Sequence, residues 1–370
     1  MPVESQLESS ASTQPTTNRL LIAASGTGGH LFPALAVAEH LSDVDIHWLG
    51  VPDRLETQLI TDYPLTTVAM SGLQGPPGLS YLRAFWQLGM SFLKVRGLLK
   101  KQDCQGVFTT GGYISAPAIL AARSLGLPVI LHESNALPGK VTRWLAPRCS
   151  IVVLGVSEAA TKLTAPKIQV VGNPVRQVFN QPQSLDLPIP VEAPTIVVSG
   201  GSQGARGLNR LVTEAAPAWI ERGAWIIHLA GELDADEVAQ RAPDSPQYLH
   251  FPFRQDMAAI YQRADFAICR SGAMTLAELA VTRTPAILIP YPYAAEDHQY
   301  ENAIAVVNSG AAIVHREGEL TAETLAALGC EWLDNRDRLQ QMVSILDAQS
   351  QQDASQITAQ LIRDTLEQEK

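Results

Sequence analysis

Short apolar runs bounded by turn residues alternate along the chain with longer, helix-length segments. The first half has such runs at 19–25, 45–50, 106–110, 128–133, 150–155 and 168–172, and the second half has them at 195–200, 225–230, 247–253, 266–271, 285–290 and 311–315. Helical patterns lie between them at 33–42, 78–101, 206–222, 256–263, 273–281 and 299–309. Continuously apolar runs are typical of parallel strands covered on both faces. The pattern predicts an α/β protein with two doubly wound parallel sheets.

The two predicted sheets are separated by a stretch without periodicity. Residues 174–194 contain five prolines, so we place the boundary between an N-terminal domain, 19–173, and a C-terminal domain, 174–346. A Gln-rich segment, 347–356, then precedes a final helix predicted at 357–369. Residues 1–18 have neither a basic residue nor an apolar core, which indicates a disordered tail rather than a signal peptide or a membrane span.

Composition narrows the class of protein. The net charge of −10, from 27 basic and 37 acidic residues, argues against nucleic acid as a partner. Four widely spaced cysteines indicate neither a disulfide framework nor a thiolate zinc site, and they favour a reducing compartment.

A glycine-rich sequence, GTGGH over 26–30, follows the first predicted strand. Glycines there allow close approach of the backbone to a ligand and direct free N–H groups at an anion. The sequence is incomplete as a dinucleotide fingerprint, because Leu31 stands where the third glycine is needed and the second strand ends without an acidic residue. A plain tight turn is the other interpretation, but such a turn does not require His30.

Two more polar clusters follow strands of the same half. Gly111-Gly112-Tyr113 and His132-Glu133-Ser134-Asn135 would meet the first loop, because the carboxyl ends of parallel strands share one edge of a sheet. For His132 alone, a buried histidine bonded to the backbone is the alternative.

The second half repeats the arrangement of strand, glycine loop and helix. GGSQGAR over 200–206 predicts a second anion site, and Arg270 with the next helix N-terminus suits a diphosphate. Glu278 on that helix suits ribose hydroxyls, although it could also lie on a solvated helix face. The sequence EDHQ, 296–299, offers the donors and acceptors that bind a sugar.

Two further sequence signatures bear on the binding of nucleotides and of metal-bound diphosphates. A P-loop sequence is absent, which disfavours a P-loop kinase or ATPase. D-x-D triplets occur at Asp43/Asp45, before a strand and thus at the wrong sheet edge, and at Asp234/Asp236, in an acidic loop that we expect to be solvated. We assign no metal.

Taken together, these motifs resemble those of the MurG family of bacterial glycosyltransferases, which transfer N-acetylglucosamine from its UDP derivative to the lipid-linked muramyl-pentapeptide precursor of peptidoglycan. The resemblance covers nearly all of residues 19–345 through SGTGGHLFPALAVA, TTGGYISAPA, HESNALPGK, VGNPVR, GGSQGAR, QDMAAIY, CRSGAMTLAEL and EDHQYENA. It implies a GT-B fold, with two Rossmann-like domains facing across a cleft. The acceptor would bind the first domain and UDP-sugar mainly the second, with the final helix crossing back.

The resemblance also implies roles for single residues. Arg176 and Ser202 would lie near the diphosphate, Glu278 would bind the ribose, and Asn135, His298 and Gln299 would hold the sugar. The uracil would lie at Phe253 and Arg254, and a phosphate at the main chain of Met274 and Thr275. Further donor-binding candidates are Thr27, Gly28, Gly29 and Arg270, and acceptor candidates are Gly111, Gly112 and Tyr113. The chain departs from the family pattern at Ser134, usually glutamine, and at Arg254, often apolar, which weakens expectations for side-chain contacts there.

The implied chemistry is a single in-line displacement that inverts the sugar. His30 is our candidate base, since imidazole titrates near neutral pH, and Glu133 could orient His30 or act as the base itself. The leaving UDP would be met by the second-domain loop, its helix dipole, Arg176 and Arg270, so no cofactor is expected. Two alternatives stay open: another GT-B transferase, acting on a sterol or natural product, and a non-catalytic UDP-sugar-binding scaffold.

One segment suggests a membrane partner. Residues 79–101 contain five basic residues and no acidic one, together with apolar side chains. This composition is typical of a segment that meets anionic lipid, although a crossover helix packed on the sheet explains most of its apolar residues. We expect an exposed patch around Leu79, Leu82, Arg83, Phe85 and Trp86, and a peripheral location on the cytoplasmic face of the bacterial inner membrane. Other cell-wall synthesis proteins are further candidate partners.

Overall fold

The structure, a computed structural model, describes residues 18–70, 79–201, 204–349 and 353–368, with residues 79–85 and 349 described by their backbone alone. Within these ranges the first sheet has seven parallel strands in the order β3-β2-β1-β4-β5-β6-β7. They are β1 (Arg19–Ala23), β2 (Asp45–Gly50), β3 (Leu65–Thr67), β4 (Gly106–Thr109), β5 (Val129–Glu133), β6 (Ile151–Leu154) and β7 (Ile168–Val170). Residues 1–17 of the predicted tail lie outside the described residues.

The second sheet has six parallel strands in the order β10-β9-β8-β11-β12-β13. They are β8 (Thr195–Ser199), β9 (Trp225–Leu229), β10 (Tyr248–Phe251), β11 (Phe266–Cys269), β12 (Ala286–Leu288) and β13 (Ala312–Val314). The prediction of two doubly wound parallel sheets is confirmed. Strand β3 was not predicted, because its three residues, LTT, form no apolar run.

Thirteen α-helices are found in the described ranges. They are α1 (Gly28–Ala38), α2 (Glu56–Leu59), α3 (Leu79–Lys101), α4 (Ser115–Arg123), α5 (Lys140–Leu145), α6 (Arg206–Ile220), α7 (Ala235–Arg241), α8 (Met257–Arg263), α9 (Ala273–Val281), α10 (His298–Val307), α11 (Ala322–Asp334), α12 (Arg336–Gln349) and α13 (Ala354–Gln368). The prediction that the first helix begins near Pro33 is wrong. It begins at Gly28, so Pro33 lies inside it and His30 lies in its first turn.

Each sheet is covered by apolar side chains on both faces. Successive residues of β1 alternate between two cores, with Leu21 on one face and Ile22 on the other, and both are fully buried. Ile196 and Val197 of β8 do the same in the second sheet. Burial on both faces explains why the strands appear as continuous apolar runs in the sequence.

The last helix, α13, packs on the first sheet although it follows the second one in sequence. Ala359, Ile362 and Leu366 lie in the core that contains Ile22. Arg363 holds the helix in place, since its Nη2 lies 2.6 Å from a carboxylate oxygen of Asp43. The helix begins three residues before the predicted position, and it brings the end of the chain back to the first domain.

Candidate active site

The first turn of α1 places His30 at the carboxyl edge of the first sheet. His30 Nδ1 lies 2.7 Å from the carbonyl oxygen of Thr110, which follows β4, and the Thr110 hydroxyl donates to the His30 carbonyl at 2.6 Å. A carbonyl oxygen can only accept, so Nδ1 carries the proton. In the neutral ring the lone pair is therefore on Nε2, where a base would need it.

Gly111 and Gly112 form the surface next to the His30 ring. Both have positive φ, at 93° and 75°. A Cβ on either glycine would lie 3.3 Å from a carbon of the imidazole, so both the backbone conformation and the close approach favour glycine. Tyr113, the next residue, is 47% exposed beside them.

Glu133, at the end of β5, is bound by its own loop. One carboxylate oxygen accepts hydrogen bonds from the Asn135 main chain at 3.1 Å and side chain at 3.0 Å, and the other accepts from Gly139 N at 3.1 Å. The suggestion that Glu133 orients His30 is corrected by these contacts, because the Thr110 carbonyl has that role. The buried carboxylate instead fixes the loop that carries Asn135.

His132 is fully buried, and its Nε2 lies 3.4 Å from the Gly172 carbonyl. Burial lowers its pKa to about 4. The alternative considered for this residue, a core histidine facing the backbone, describes it correctly.

The two domains meet through a buried amide that sequence analysis missed. Asn302 of α10 is 2% exposed, and its Oδ1 accepts from Ala136 N at 2.8 Å. Its Nδ2 donates to Asn135 Oδ1 at 3.1 Å and to the Ser271 carbonyl at 3.3 Å. Asn302 therefore connects the loop after β5 with the loop after β11 across the cleft.

The predicted sugar-binding residues of the second domain lie beside this connection. The Gln299 carbonyl accepts from the Ser271 hydroxyl at 2.7 Å, and Gln299 Oε1 accepts from Tyr291 N at 3.0 Å. His298 Nδ1 lies 2.9 Å from the Ala295 carbonyl. Asn135 of the first domain and Gln299 of the second therefore both lie beside the Asn302 contact, and His298 directly precedes Gln299 on α10.

Glu278 of α9 and Arg176 form a partly buried ion pair. The Glu278 carboxylate lies 3.7 Å from Arg176 Nη2, and the guanidinium of Arg176 lies 4.4 Å from the ring centre of Phe32 on α1. Burial raises the pKa of Glu278 to about 7, although Arg176 acts in the opposite direction. The Arg176 Nε is buried with no hydrogen-bond partner among the described residues.

The N-terminus of α9 lies in the same region. Gly272 is the N-cap, so the main chain of Met274 and Thr275 belongs to the first turn, where N–H groups have no partner within the helix. Such groups suit a phosphate. Ser202 of the other glycine loop lies outside the described residues.

At the expected uracil position, the side chain of Phe253 is exposed and that of Arg254 is engaged in an ion pair. Phe253 is 52% exposed. Arg254 is held by Asp256, with Nη2 2.6 Å from a carboxylate oxygen, and it lies over the Phe251 ring. A base at this position would therefore depend on the main chain, as the family departure at Arg254 suggested.

The expectation that Arg270 meets a diphosphate is not supported by its contacts. Its Nη2 lies 2.5 Å from a Glu317 carboxylate oxygen, and its Nη1 donates to the Ile289 and Pro290 carbonyls at 3.0 and 3.1 Å. The side chain is 7% exposed and braces the loop after β12. Arg176 is left as the stronger candidate for phosphate charge.

Three aspartates of the D-x-D triplets form ion pairs or hydrogen bonds with other parts of the fold. Asp43 binds Arg363, and Asp45 lies 3.4 Å from Arg19. The expectation that the second acidic loop is solvated is wrong for Asp234, which is 6% exposed and accepts a hydrogen bond from Asn209. No group of three or more His, Cys, Asp or Glu side chains in the described part of the chain is arranged to hold a metal ion.

Helix α3 has both a buried and an exposed apolar face. Val95 and Leu99 lie in the core of the first sheet. Three apolar side chains with the spacing i, i+4, i+7 lie on another face of this helix. They are Trp86, Met90 and Leu93, and they are 68%, 40% and 61% exposed. The side chains of Leu79, Leu82, Arg83 and Phe85 lie outside the described residues. Across the described ranges, no helix combines the length and the apolar character that crossing a bilayer requires.

Solved structures share this architecture. The crystal structure of MurG from Acinetobacter baumannii has a TM-score of 0.76 and 30% identity, with 94% of this chain and 99% of that chain covered. The glycotransferase of kitacinnamycin has a TM-score of 0.73 at 17% identity, covering 95% and 100%, and so shares the fold alone. The two-domain fold is that of the GT-B glycosyltransferases.

Sequence relatives define the family. Residues 20–153 match the family model described as "Glycosyltransferase family 28 N-terminal domain". Residues 195–358 match the model described as "Glycosyltransferase family 28 C-terminal domain". The chain belongs to glycosyltransferase family 28 and, within it, to the MurG family.

Two cyanobacterial relatives carry the same name, UDP-N-acetylglucosamine--N-acetylmuramyl-(pentapeptide) pyrophosphoryl-undecaprenol N-acetylglucosamine transferase. The protein from Synechococcus sp. strain JA-2-3B'a(2-13) is 56% identical over 94% of this chain and 95% of its own. The protein from Trichodesmium erythraeum is 52% identical over 94% and 92%. The resemblance to the MurG family is confirmed.

Proposed function

We propose that the protein transfers N-acetylglucosamine from UDP-N-acetylglucosamine to the 4-hydroxyl of lipid-linked N-acetylmuramyl-pentapeptide, which converts lipid I to lipid II in peptidoglycan synthesis. The observation that carries this proposal is the 56% identity, over 94% of the chain, to a relative named for this transfer. The site geometry agrees with it, since a candidate base on the first domain faces candidate nucleotide groups on the second.

In this proposal His30 Nε2 accepts the proton of the muramyl 4-hydroxyl. The hydroxyl oxygen forms a bond to the anomeric carbon as the bond from that carbon to the phosphate oxygen breaks, and UDP leaves with the electron pair. The α-linked donor then gives a β-linked product. Thr110 supports this role because its carbonyl holds the proton on Nδ1 and leaves Nε2 free to accept one.

The donor would bind along the second domain. Glu278 would accept hydrogen bonds from the ribose hydroxyls, and the first turn of α9 would bind a phosphate. Asn135, His298 and Gln299 would hold the sugar. Arg176 and the N-termini of α6 and α9 would stabilise the charge that develops on UDP, so the proposal assigns no metal to this step.

A membrane surface is the proposed second partner. The stripe of Trp86, Met90 and Leu93 is exposed on α3, and the exposed Lys94, Lys100 and Lys101 lie on the same helix. Apolar side chains beside lysines suit a membrane with anionic lipid. The acceptor is lipid-linked, so we place the enzyme peripherally on the cytoplasmic face of the bacterial inner membrane.

Turnover tests the proposed function. The purified protein should transfer labelled N-acetylglucosamine from its UDP derivative to a short-chain analogue of the lipid-linked acceptor, and UDP should be released only when the acceptor is present. Activity should persist in EDTA. A protein that binds UDP and transfers no sugar would instead be the non-catalytic scaffold.

A further inference from the structure

In the second domain, three buried polar side chains are linked by hydrogen bonds next to the loop between β8 and α6, which is called the glycine loop below. None of the three is among the site residues assigned above. Tyr248 of β10, His228 of β9 and Asn209 of α6 are 5%, 0% and 3% exposed. His228 Nδ1 lies 2.5 Å from the Tyr248 hydroxyl, and its Nε2 lies 2.9 Å from Asn209 Oδ1. Buried polar groups require partners, and these three side chains provide them for one another.

The donor and the acceptor of each of these hydrogen bonds can be assigned. The Asn209 amide nitrogen donates to the Ala230 carbonyl at 2.9 Å and to Asp234 Oδ2 at 3.2 Å, so its oxygen faces His228 as an acceptor. Burial lowers the pKa of His228 to about 3, which keeps the ring neutral with a single N–H. That N–H must be on Nε2, and Nδ1 therefore accepts from the Tyr248 hydroxyl. Tyr248 and His228 thus fix which way the Asn209 amide is turned.

Both acceptors of the Asn209 amide lie against the glycine loop. Gly204 has a φ of 94°, and a Cβ there would lie 2.6 Å from Asp234 Oδ2 and 2.9 Å from the Ala230 carbonyl oxygen. Gly204 N also donates to the Gly201 carbonyl at 3.1 Å, which closes the turn directly before α6. The two oxygens that accept from Asn209 are therefore the surface against which Gly204 packs.

We infer that Tyr248, His228 and Asn209 are positioning residues for the glycine loop, and that they set the affinity of the enzyme for the diphosphate of its nucleotide-sugar donor. This inference rests on the proposed function, in which the N-terminus of α6, directly after that loop, meets the charge of the diphosphate. It also gives Asp234 a role in supporting the loop rather than in binding a metal. The three side chains act through the loop and do not touch the donor.

Binding of ligands with and without phosphate tests the inference. In Asn209→Leu the Ala230 carbonyl and the Asp234 carboxylate lose the hydrogen bonds from Asn209, and Asp234 keeps its ion pair with Arg206. The dissociation constant of UDP should rise about tenfold while that of uridine changes less than twofold. The donor KM should rise with it, and kcat should change little. Thr213→Val is the matched control, because Thr213 is a buried polar residue one turn further along α6 that bonds Arg210 within the helix.

Tyr248→Phe is a second variant, which tests the inference if Asn209→Leu fails to fold. It preserves the ring but removes the donor that fixes the His228 tautomer, so the UDP dissociation constant should rise about threefold with uridine binding unchanged. A folded variant that weakens UDP and uridine equally, or leaves UDP within twofold of the Thr213→Val control for both substitutions, would overturn the inference. Failure of the proposed function appears elsewhere, as absence of sugar transfer by the wild-type enzyme.

Discussion

The carboxylate of Glu278 lies 3.7 Å from the guanidinium of Arg176, and the guanidinium in turn stacks on Phe32. This contact joins α9 of the second domain to α1 of the first through a residue of the connecting segment. It also places an acidic group with a raised pKa at the expected ribose position. The Glu278 carboxylate thus combines a contact between the domains, a raised pKa and the proposed ribose contact.

Glu278→Ala should raise the donor KM at least tenfold. In the proposed site the substitution removes two charge-assisted hydrogen bonds to the ribose, each of about 1.5–3 kcal/mol. Steady-state kinetics with varied UDP-N-acetylglucosamine measure the effect, and the KM for the acceptor is the internal control. A donor KM within twofold of wild type would remove Glu278 from the ribose site.

UDP affinity should increase as the pH rises from 6 to 8. The pKa of Glu278 in the free enzyme is raised to about 7, so the carboxyl is protonated below that pH and ionised above it, and only the ionised form accepts from both hydroxyls. Calorimetric titration at several pH values measures this dependence, which Glu278→Gln should abolish. A pH dependence equal in wild type and Glu278→Gln would assign it to another group.

The same shift has a consequence for stability. The unfolded chain loses the Glu278 proton near its ordinary pKa of 4.5, whereas the folded protein keeps it until about pH 7. The contribution of this carboxyl to the free energy of unfolding therefore falls as pH rises between those values. Thermal denaturation should show a smaller loss of Tm over that range in Glu278→Gln than in wild type.

His30→Ala should lower kcat by about 10²–10⁴ and leave UDP affinity nearly unchanged, as expected for loss of a general base. Gly112→Ala offers a milder variant, since its Cβ would press on the imidazole at 3.3 Å from a backbone with φ of 75°. Single-turnover measurements separate chemistry from binding. A near-normal kcat in His30→Ala would transfer the base role to another group, and joint loss of UDP binding would indicate a disrupted loop.

The apolar runs predicted every strand of the two sheets except β3, and they showed which residues stand directly after those strands. His30, Gly112 and Glu278 could be proposed as site residues because a residue type with clear chemistry lies beside a glycine loop or on the helix after it. Asn302 could not, because its three partners lie on loops that only the folded chain brings together. Its one signal was an asparagine three residues after Gln299 on the same helix.

Other errors have a similar physical cause. Arg270 was expected at phosphate because it precedes a helix, yet it is occupied by Glu317, which is 47 residues away in sequence. Thr110 was not singled out because it acts on His30 through its carbonyl, a group that every residue has. Spacing shows which side chains share an edge of a sheet, whereas pairing over long separations depends on side-chain packing.

Asn302→Leu should raise the donor KM about tenfold by removing the hydrogen bonds that connect the two domains at Asn135 and Ser271. The matched control is Lys162→Ala, which breaks the exposed pair with Glu301 on the same helix, at 2.9 Å. Exposed ion pairs contribute little, so that variant should stay within twofold of wild type. Equal effects of the two substitutions would mean that Asn302 has no special part in donor binding.

Trp86→Ser combined with Leu93→Ser should abolish most binding to vesicles with anionic lipid. Both side chains are exposed on α3, and neither belongs to the core that Val95 and Leu99 enter, so the fold should persist. Transfer of apolar side chains into the interface and attraction of basic residues, each worth about 1 kcal/mol near the surface, should both contribute. Co-sedimentation with vesicles at low and high salt measures the two contributions, since only the electrostatic one is screened.

Leu233→Ser is the matched control for this double variant, because Leu233 is 78% exposed on the second domain. It should bind vesicles like wild type. Replacement of Lys94, Lys100 and Lys101 by glutamine should weaken binding and reduce its dependence on salt, while Trp86→Ser with Leu93→Ser should weaken binding and leave that dependence in place. Wild-type binding that is independent of anionic lipid, or that survives both sets of substitutions in folded protein, would show that α3 is not the surface that meets the membrane.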